Sequence, residues 1–308
     1  MSSGYELLRH AAGLLDLTAR GRIVARGRDR ARLLHNLTSN EVKKMTPGSA
    51  CYAFLLSPQG RIQADLYLLC FEDHFLIDTE PELREKVLQH IKRYIIADQV
   101  ELEDVSESTA CLGIEGPGAA AVLAGAGASV PGDYAHLAWN SATIAGITLT
   151  GQPGVRIYSP QADSAAVSTK LEAAGAKPVT MEDARIVRVE NGKPRYGEGI
   201  SDRSLPQETQ QMHAISFTKG CYLGQEIVER IRAQGHVNKK LVRLEIAAKQ
   251  PPAAAAKAES NGDAAGEIVS AVYSPQSGAV AALAYLRTQF AEPGAKVQVE
   301  GHDARVLG

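Results

Sequence analysis

The stretch Lys219-Gly220-Cys221-Tyr222-Leu223-Gly224-Gln225-Glu226 sets a thiol beside a lysine and between two glycines. A neighbouring ammonium favours the thiolate, the form of cysteine that ligates metal or attacks electrophiles. The glycines permit a tight loop and close approach of other groups to the backbone. A second reading stays open: Cys221 simply opens the helix expected from Gly224 onward, where the helix terminus favours a thiolate without giving it a role. A lone cysteine does not hold an iron–sulfur cluster, which usually takes four thiolates. A cluster at Cys221 therefore needs ligands from a partner chain or a small thiol, and no metal site is expected in the isolated chain. His213 and His236 do not stand at structural zinc spacing from it.

Two carboxylates are the next candidates. Glu190 falls in the last turn of an expected helix that stops at Gly192, where it faces the negative end of the helix dipole. A residue set against local preference is a candidate for function; the alternative is a solvated side chain paired with Arg188 or Lys193. Asp65 shares a strand face with Gln63 and Tyr67, opposite Ile62, Ala64, Leu66 and Leu68. On an alternating strand that face ordinarily meets solvent. Arg20, Arg22, Arg26, Arg28, Arg30 and Arg32 crowd around Asp29, a pattern suited to phosphates or an acidic partner, or to a solvated edge. The glycines around Pro117 match neither the P-loop nor the G-x-G-x-x-G pattern, so they read as a turn.

The elements that must position these residues divide into three modules. Residues 1–105 read as α+β. Ala50–Leu56 and Arg61–Leu69 are strands joined by the turn Ser57-Pro58-Gln59-Gly60, and Thr79 with Glu82 suggests a capping box for the helix that follows. Residues 106–237 form a second α/β module that carries the cysteine stretch, with a helix opened by Thr180 and Asp183. From residue 238 to 308 short strands and turns predict a small β-barrel, with Lys249–Gly266 as a mobile inter-strand loop.

Composition bounds the reading. The 308 residues allow two or three domains. A net charge of −2 gives no whole-molecule field for nucleic acid. No apolar run spans a bilayer and the first twenty residues lack a signal-peptide pattern, so a cytoplasmic location is the default and neither membrane nor direct nucleic-acid binding is expected. Cys51, Cys70 and Cys111 lie among apolar strand residues and read as small core residues.

The stretch from Lys219 to Glu226 resembles the K-G-C-[FY]-x-G-Q-E signature of the YgfZ family, folate-binding proteins related to the glycine-cleavage T-protein. "VRVENGKPRYGEGI" resembles the superfamily's R-x-E-x-G-x-P-x-Y-G-x-x-I segment, "LLHNLTSNEV" resembles its L-x-x-L-[TS]-x-N-[DE]-V element, and "SPQGRIQADLYLL" resembles its glycine turn followed by an Asp-Asp pair. The resemblance implies a T-protein-like fold, with α/β modules around a central channel and a C-terminal barrel. It implies tetrahydrofolate as ligand, contacted by Asp65, Glu190, Tyr196 and Asn40, with Glu190 on the pterin edge and Asp65 beside the amine where one-carbon transfer occurs. Ala64 replaces the first aspartate of the pair, so the expectation is folate contact without full aminomethyl transfer. Cys221, supported by Lys219, becomes the functional thiol, a possible shared ligand of a transient iron–sulfur cluster. The function implied is a folate-binding accessory factor for iron–sulfur cluster assembly or repair. Its partners would be iron–sulfur assembly proteins or client enzymes, including tRNA-modifying ones. The alternative is a folate-dependent aminomethyltransferase or demethylase of the T-protein type.

Overall fold

Apolar and aromatic residues in Ala50–Leu56 and Ile62–Cys70 pair as an antiparallel hairpin in the computed structural model, which describes residues 3–307. The hairpin turns through Ser57, whose carbonyl accepts the Gly60 N–H at 2.9 Å. Three further antiparallel strands, His74–Thr79, Gly21–Arg26 and Glu101–Asp104, complete a five-stranded sheet. Ala64, Leu66 and Leu68 face the helices Arg30–Leu37 and Arg84–Arg93. A register shift opposite Leu55 and Leu56 turns Ile62 to the other face, beside Tyr67 and Leu69. That face is buried too, so Asp65 is not on a solvated surface.

A second, six-stranded sheet covers it. Its strands run in the order Lys177–Pro178, Gly13–Asp16, Thr109–Glu115, Gly154–Pro160, Ala142–Ala145 and His136–Trp139. Residues 1–105 thus contribute strands to both sheets. Helices Ala119–Gly125 and Ser164–Ala173 pack on its outer face. The largest apolar cluster lies between the two sheets and joins Leu15, Tyr52, Phe54, Tyr67, Tyr158 and Val187.

The helix Met181–Glu190 begins with the expected capping box: Asp183 N–H donates to Thr180 Oγ1, and Thr180 N–H to Asp183 Oδ2. The box expected at Thr79 does not form. Thr79 closes a strand and its hydroxyl donates to the Asp65 carbonyl at 2.9 Å. A short 3-10 turn, Pro81–Leu83, then precedes the helix Arg84–Arg93.

The C-terminal strands close into a six-stranded barrel, in the order Lys239–Ile246, Ala279–Arg287, Asp263–Ser274, Lys257–Ser260, Lys296–Val299 and His302–Val306. The loop expected over Lys249–Gly266 is partly strand. Ala258 and Ala265 fill the barrel interior, and small side chains there suit its taper. Because alanine carries little apolar signal, the alternation was hidden. Asn261 and Gly262, with φ of +51° and +85°, form the two-residue hairpin turn that such a dipeptide favours.

Candidate functional site

A cavity of about 320 Å³ opens between the two sheets. Tyr52, Asp65, Tyr67 and Glu80 contribute from the first sheet and the residue that follows its third strand, Arg156 from the second sheet, and Thr148 and Leu149 from the loop between two strands of the second. The segment from Asn191 to Arg195, which follows the helix Met181–Glu190, closes one wall with Gln211 and His213. The expected channel therefore lies where the sheets face each other.

Asp65 lines this cavity. Oδ2 accepts the Tyr52 hydroxyl at 2.8 Å, whereas Oδ1 is buried with no partner. Burial first, and then the neighbouring Glu80 carboxylate, push its pKa up to about 6. The Tyr52 ring stacks on His213 with centroids 5.4 Å apart. Burial lowers the His213 pKa and the nearby Lys193 ammonium adds to this.

A buried ion network forms the floor. Asp78 accepts from Arg20 at 2.6 Å, from Arg156 at 3.0 Å and from the Tyr158 hydroxyl at 2.6 Å. Burial opposes its ionisation, but Arg156 and Arg20 outweigh that and hold it below its usual range. Glu80 accepts from Arg20 at 2.5 Å and from Arg195 at 2.9 Å. The arginine run thus begins in the core. Arg20 is part of this network and Arg22, fully buried, donates to the carbonyls of Thr18, Arg20, Ser106 and Thr109. Neither is a solvated edge or a phosphate contact.

The other residues expected at the site lie around the cavity rather than on its wall. Asn40 donates its amide to the carbonyls of Tyr52 and His213, at 2.8 and 2.9 Å, and so fixes the stacked pair. Tyr196 packs against both faces of the first sheet's core, and its hydroxyl accepts from Lys86 at 3.4 Å. Glu190 does not line the cavity. Its carboxylate accepts the Tyr5 hydroxyl at 3.0 Å, pairs with Arg9, and takes the Ser274 hydroxyl at 2.5 Å. It joins the N-terminal helix Ser3–His10 to the barrel. Ala64 faces the apolar layer behind the sheet, so the residue type there does not set the number of carboxylates in the cavity. Glu80 supplies a second one beside Asp65.

Cys221 is exposed, whereas Cys70 and Cys111 are buried and Cys51 partly so. Lys219 is buried and donates to the carbonyls of His35, Thr38 and Asn40 at 2.5–2.7 Å. Its ammonium anchors the loop to the segment that holds Asn40. Gly224, at φ +82°, lies against the turn after Leu56: a Cβ there would sit 2.6 Å from the Ser57 carbonyl oxygen. Among the described residues no group of three or more His, Cys, Asp or Glu side chains forms a metal site, and no helix is long and apolar enough to cross a membrane.

Sequence reasoning did not find Tyr52, Glu80, Arg156, Lys193 or His213. Their positions in the chain are scattered, and only the facing of two sheets brings them together. Lys193 alone had a local signal, since it lies between Glu190 and Tyr196.

Tetrahydrofolate, the ligand the resemblance implies, fits this site on one test. A buried carboxylate oxygen without a partner needs a donor, and aromatic rings of Tyr52, Tyr67 and His213 flank the space in front of it. The GCVT N-terminal domain matches residues 2–219, and the glycine cleavage T-protein C-terminal barrel domain matches residues 239–307. The aminomethyltransferase of Thermus thermophilus is 30% identical over 302 residues, covering 96% of this chain and 84% of that protein. That of Rubrobacter xylanophilus is 28% identical over 290 residues, covering 92% and 78%. The crystal structure of the glycine cleavage system aminomethyltransferase T from Bartonella henselae superposes with a TM-score of 0.90 at 21% identity, covering 99% of this chain and 87% of that one. With both domain matches together spanning nearly its whole length, the chain belongs to the glycine cleavage T-protein family.

Proposed function

We propose that the cavity binds tetrahydrofolate and that the protein carries out one-carbon transfer of the T-protein type, with Asp65 facing the reactive amine. The observation that carries this reading is Asp65, a residue of the cavity lining whose buried Oδ1 has no hydrogen-bond partner. The relatives named aminomethyltransferase support it. Ala64 packs in the apolar layer behind the sheet, so its lack of a carboxylate does not argue against full aminomethyl transfer.

Bound folate would supply the amine nitrogens that exchange a one-carbon unit. The chain's own residues prepare the place for them. Tyr52 fixes Oδ2, so Oδ1 is the oxygen left to accept a ligand N–H. The raised pKa of Asp65 lets its carboxylate take a proton more readily than a solvated aspartate does. The Arg20–Asp78–Arg156 network holds the floor rigid, because each buried charge has a partner. The test is calorimetry with tetrahydrofolate, followed by turnover with an aminomethylated lipoyl carrier protein and detection of ammonia and methylene-tetrahydrofolate. Binding that is unchanged in Asp65→Asn removes Asp65 from the site.

A second reading, support of iron–sulfur cluster assembly or repair, is favoured by Cys221. It is the one exposed cysteine among the described residues, and the space beside the Gly220 Cα is open. On this reading the folate site is accessory and the partners are iron–sulfur assembly proteins or client enzymes. Folate binding without turnover, together with loss of iron–sulfur enzyme activity in cells carrying only Cys221→Ser, would favour it over the transferase.

A further inference from the structure

We propose that Lys193 is a carboxylate anchor of this cavity, placed where the folate cavity meets a side pocket, and that a ligand of the site presents a carboxylate to it. The inference rests on the reading of the cavity as a ligand site and deepens it.

Four cationic side chains line the cavity: Arg156, Lys193, Arg188 and Arg195. Three have carboxylate partners. Arg156 pairs with Asp78 at 3.0 Å, Arg188 with Glu198 at 2.6 Å and Arg195 with Glu80 at 2.9 Å. Lys193 has none among the described residues. Its ammonium donates only to Thr148, to the carbonyl and, at 3.3 Å, to the hydroxyl. Two of its three N–H bonds are thus directed to one neutral residue, and the third is unassigned. Glu115, the carboxylate whose charge reaches it, is itself engaged by the N–H groups of Leu149 and Thr150 at 2.5 and 2.8 Å. The other charges felt at Lys193 are those of Arg156, Arg20 and Arg188, with His213 affected in turn. All but Glu115 disfavour a further cation.

Charges removed from bulk water are ordinarily paired. Burial, then this cationic surround, lowers the Lys193 pKa to about 8. A carboxylate in front of it would restore the balance. Lys193 also lines a pocket of about 310 Å³ bounded by Tyr67, Asp133, Tyr134, Thr148 and Gln152. Tyr67, Tyr134, Thr148, Gly151 and Lys193 are common to both spaces, so Lys193 stands at their junction. Two sources meet the same chemistry: the glutamyl tail of the folate, and a small amino acid that carries the one-carbon unit on its nitrogen.

Paired ligands separate them. Calorimetry compares 5-formyltetrahydrofolate with its glutamyl diamide, in which both carboxylates are neutral, and N-methylglycine with its amide. The wild type should favour the carboxylate member of at least one pair by about tenfold or more, the scale of a charge-assisted hydrogen bond. A preference in the first pair identifies the tail, in the second a carboxylate donor. Lys193→Met should abolish the preference and leave the carboxylate-free member bound as before, while Lys193→Arg should retain it. In the wild type, which requires no variant to fold, the preference should fade as pH rises through about 8. No preference in either pair, a preference unchanged in Lys193→Met, or one insensitive to pH between 7 and 9 overturns the proposal. Failure of the folate reading shows separately, as no binding of either formyl compound, and leaves the N-methylglycine pair to decide Lys193.

Discussion

The Tyr52 hydroxyl and the Asp65 carboxylate meet at 2.8 Å across adjacent strands, and this contact leaves Oδ1 as the Asp65 oxygen without a hydrogen-bond partner. Asp65 is opposite Phe54 in the register, so Tyr52 reaches it diagonally, two residues along the strand. Without that bond neither carboxylate oxygen would have a hydrogen bond from another side chain, and the ionised form would be disfavoured further.

The consequence is a pH dependence with a defined direction. The Asp65 carboxyl, its pKa pushed up to about 6 by burial and Glu80, accepts ligand N–H bonds most strongly when ionised. Folate affinity should therefore hold above that pH and decline as pH falls through it. Tyr52→Phe removes a bond that favours the anion, so the acid limb should move to higher pH and affinity near neutrality should fall on the order of tenfold. Calorimetric affinities between pH 5 and 8 measure both. An acid limb at the same pH in the two proteins would show that Asp65 does not govern binding.

Glu190 should act on stability and not on affinity. Its contacts with Tyr5, Arg9 and Ser274 tie the first helix to the barrel. Glu190→Gln replaces one acceptor oxygen by a donor that faces Arg9, and should cost roughly 1–3 kcal/mol in urea unfolding. Folate affinity should stay within about twofold, a change of roughly 0.4 kcal/mol. A large loss of affinity with unchanged stability would return Glu190 to the ligand site.

These two acids show what the sequence revealed and what it could not. The strand carrying Asp65 was legible from its alternation, because period two is a property of adjacent residues. The burial of the face opposite Ala64 was not, since it depends on a second sheet whose first strand, Gly13–Asp16, lies far away in the chain. The helix that ends at Glu190 was legible from Thr180, Asp183 and Gly192. The direction of its last side chain was not, because Tyr5 and Ser274 lie 185 and 84 residues away. Arg20 and Arg22 read as surface for the same reason: Asp78 lies 58 residues from Arg20, and Ser106 and Thr109 lie 84 and 87 residues from Arg22. The barrel's hairpin at Asn261-Gly262 was within reach, and was obscured by alanines standing where larger apolar residues usually mark the pattern.

Asp78 should be the most costly single charge to remove. Asp78→Asn leaves Arg156, fully buried, without its ion-pair partner and deprives Arg20 of one of two. Loss of one partner from a buried pair typically costs roughly 3–5 kcal/mol. The sign with pH follows from its lowered pKa. In the unfolded chain Asp78 titrates near the ordinary aspartate value of about 3.9. Its contribution is therefore present above that value and is lost as pH falls through the depressed folded value. Unfolding free energies measured from pH 7 downward should show the wild type losing stability more steeply than Asp78→Asn in acid. Parallel curves would mean that other carboxylates carry the acid dependence.

Cys221 should be the one thiol that reacts in the folded protein. The chain has four cysteines. Burial pushes Cys51 and Cys111 up to about 12 and raises Cys70 as well, so none of the three offers an accessible thiolate near neutral pH. Alkylation under native conditions should modify one site, identified by mass spectrometry as Cys221, and all four after denaturation. Lys219 acts on this loop through its anchorage, because its ammonium is bound by three carbonyls on the segment that fixes Asn40. Lys219→Met should leave those carbonyls without a donor and loosen both the loop and the Tyr52–His213 pair. It should therefore accelerate proteolysis near residue 220 and weaken folate binding together. Should Lys219→Met leave proteolysis and folate affinity as they are in the wild type, the cysteine loop and the cavity are independent, and the two functional readings lose the physical link between them.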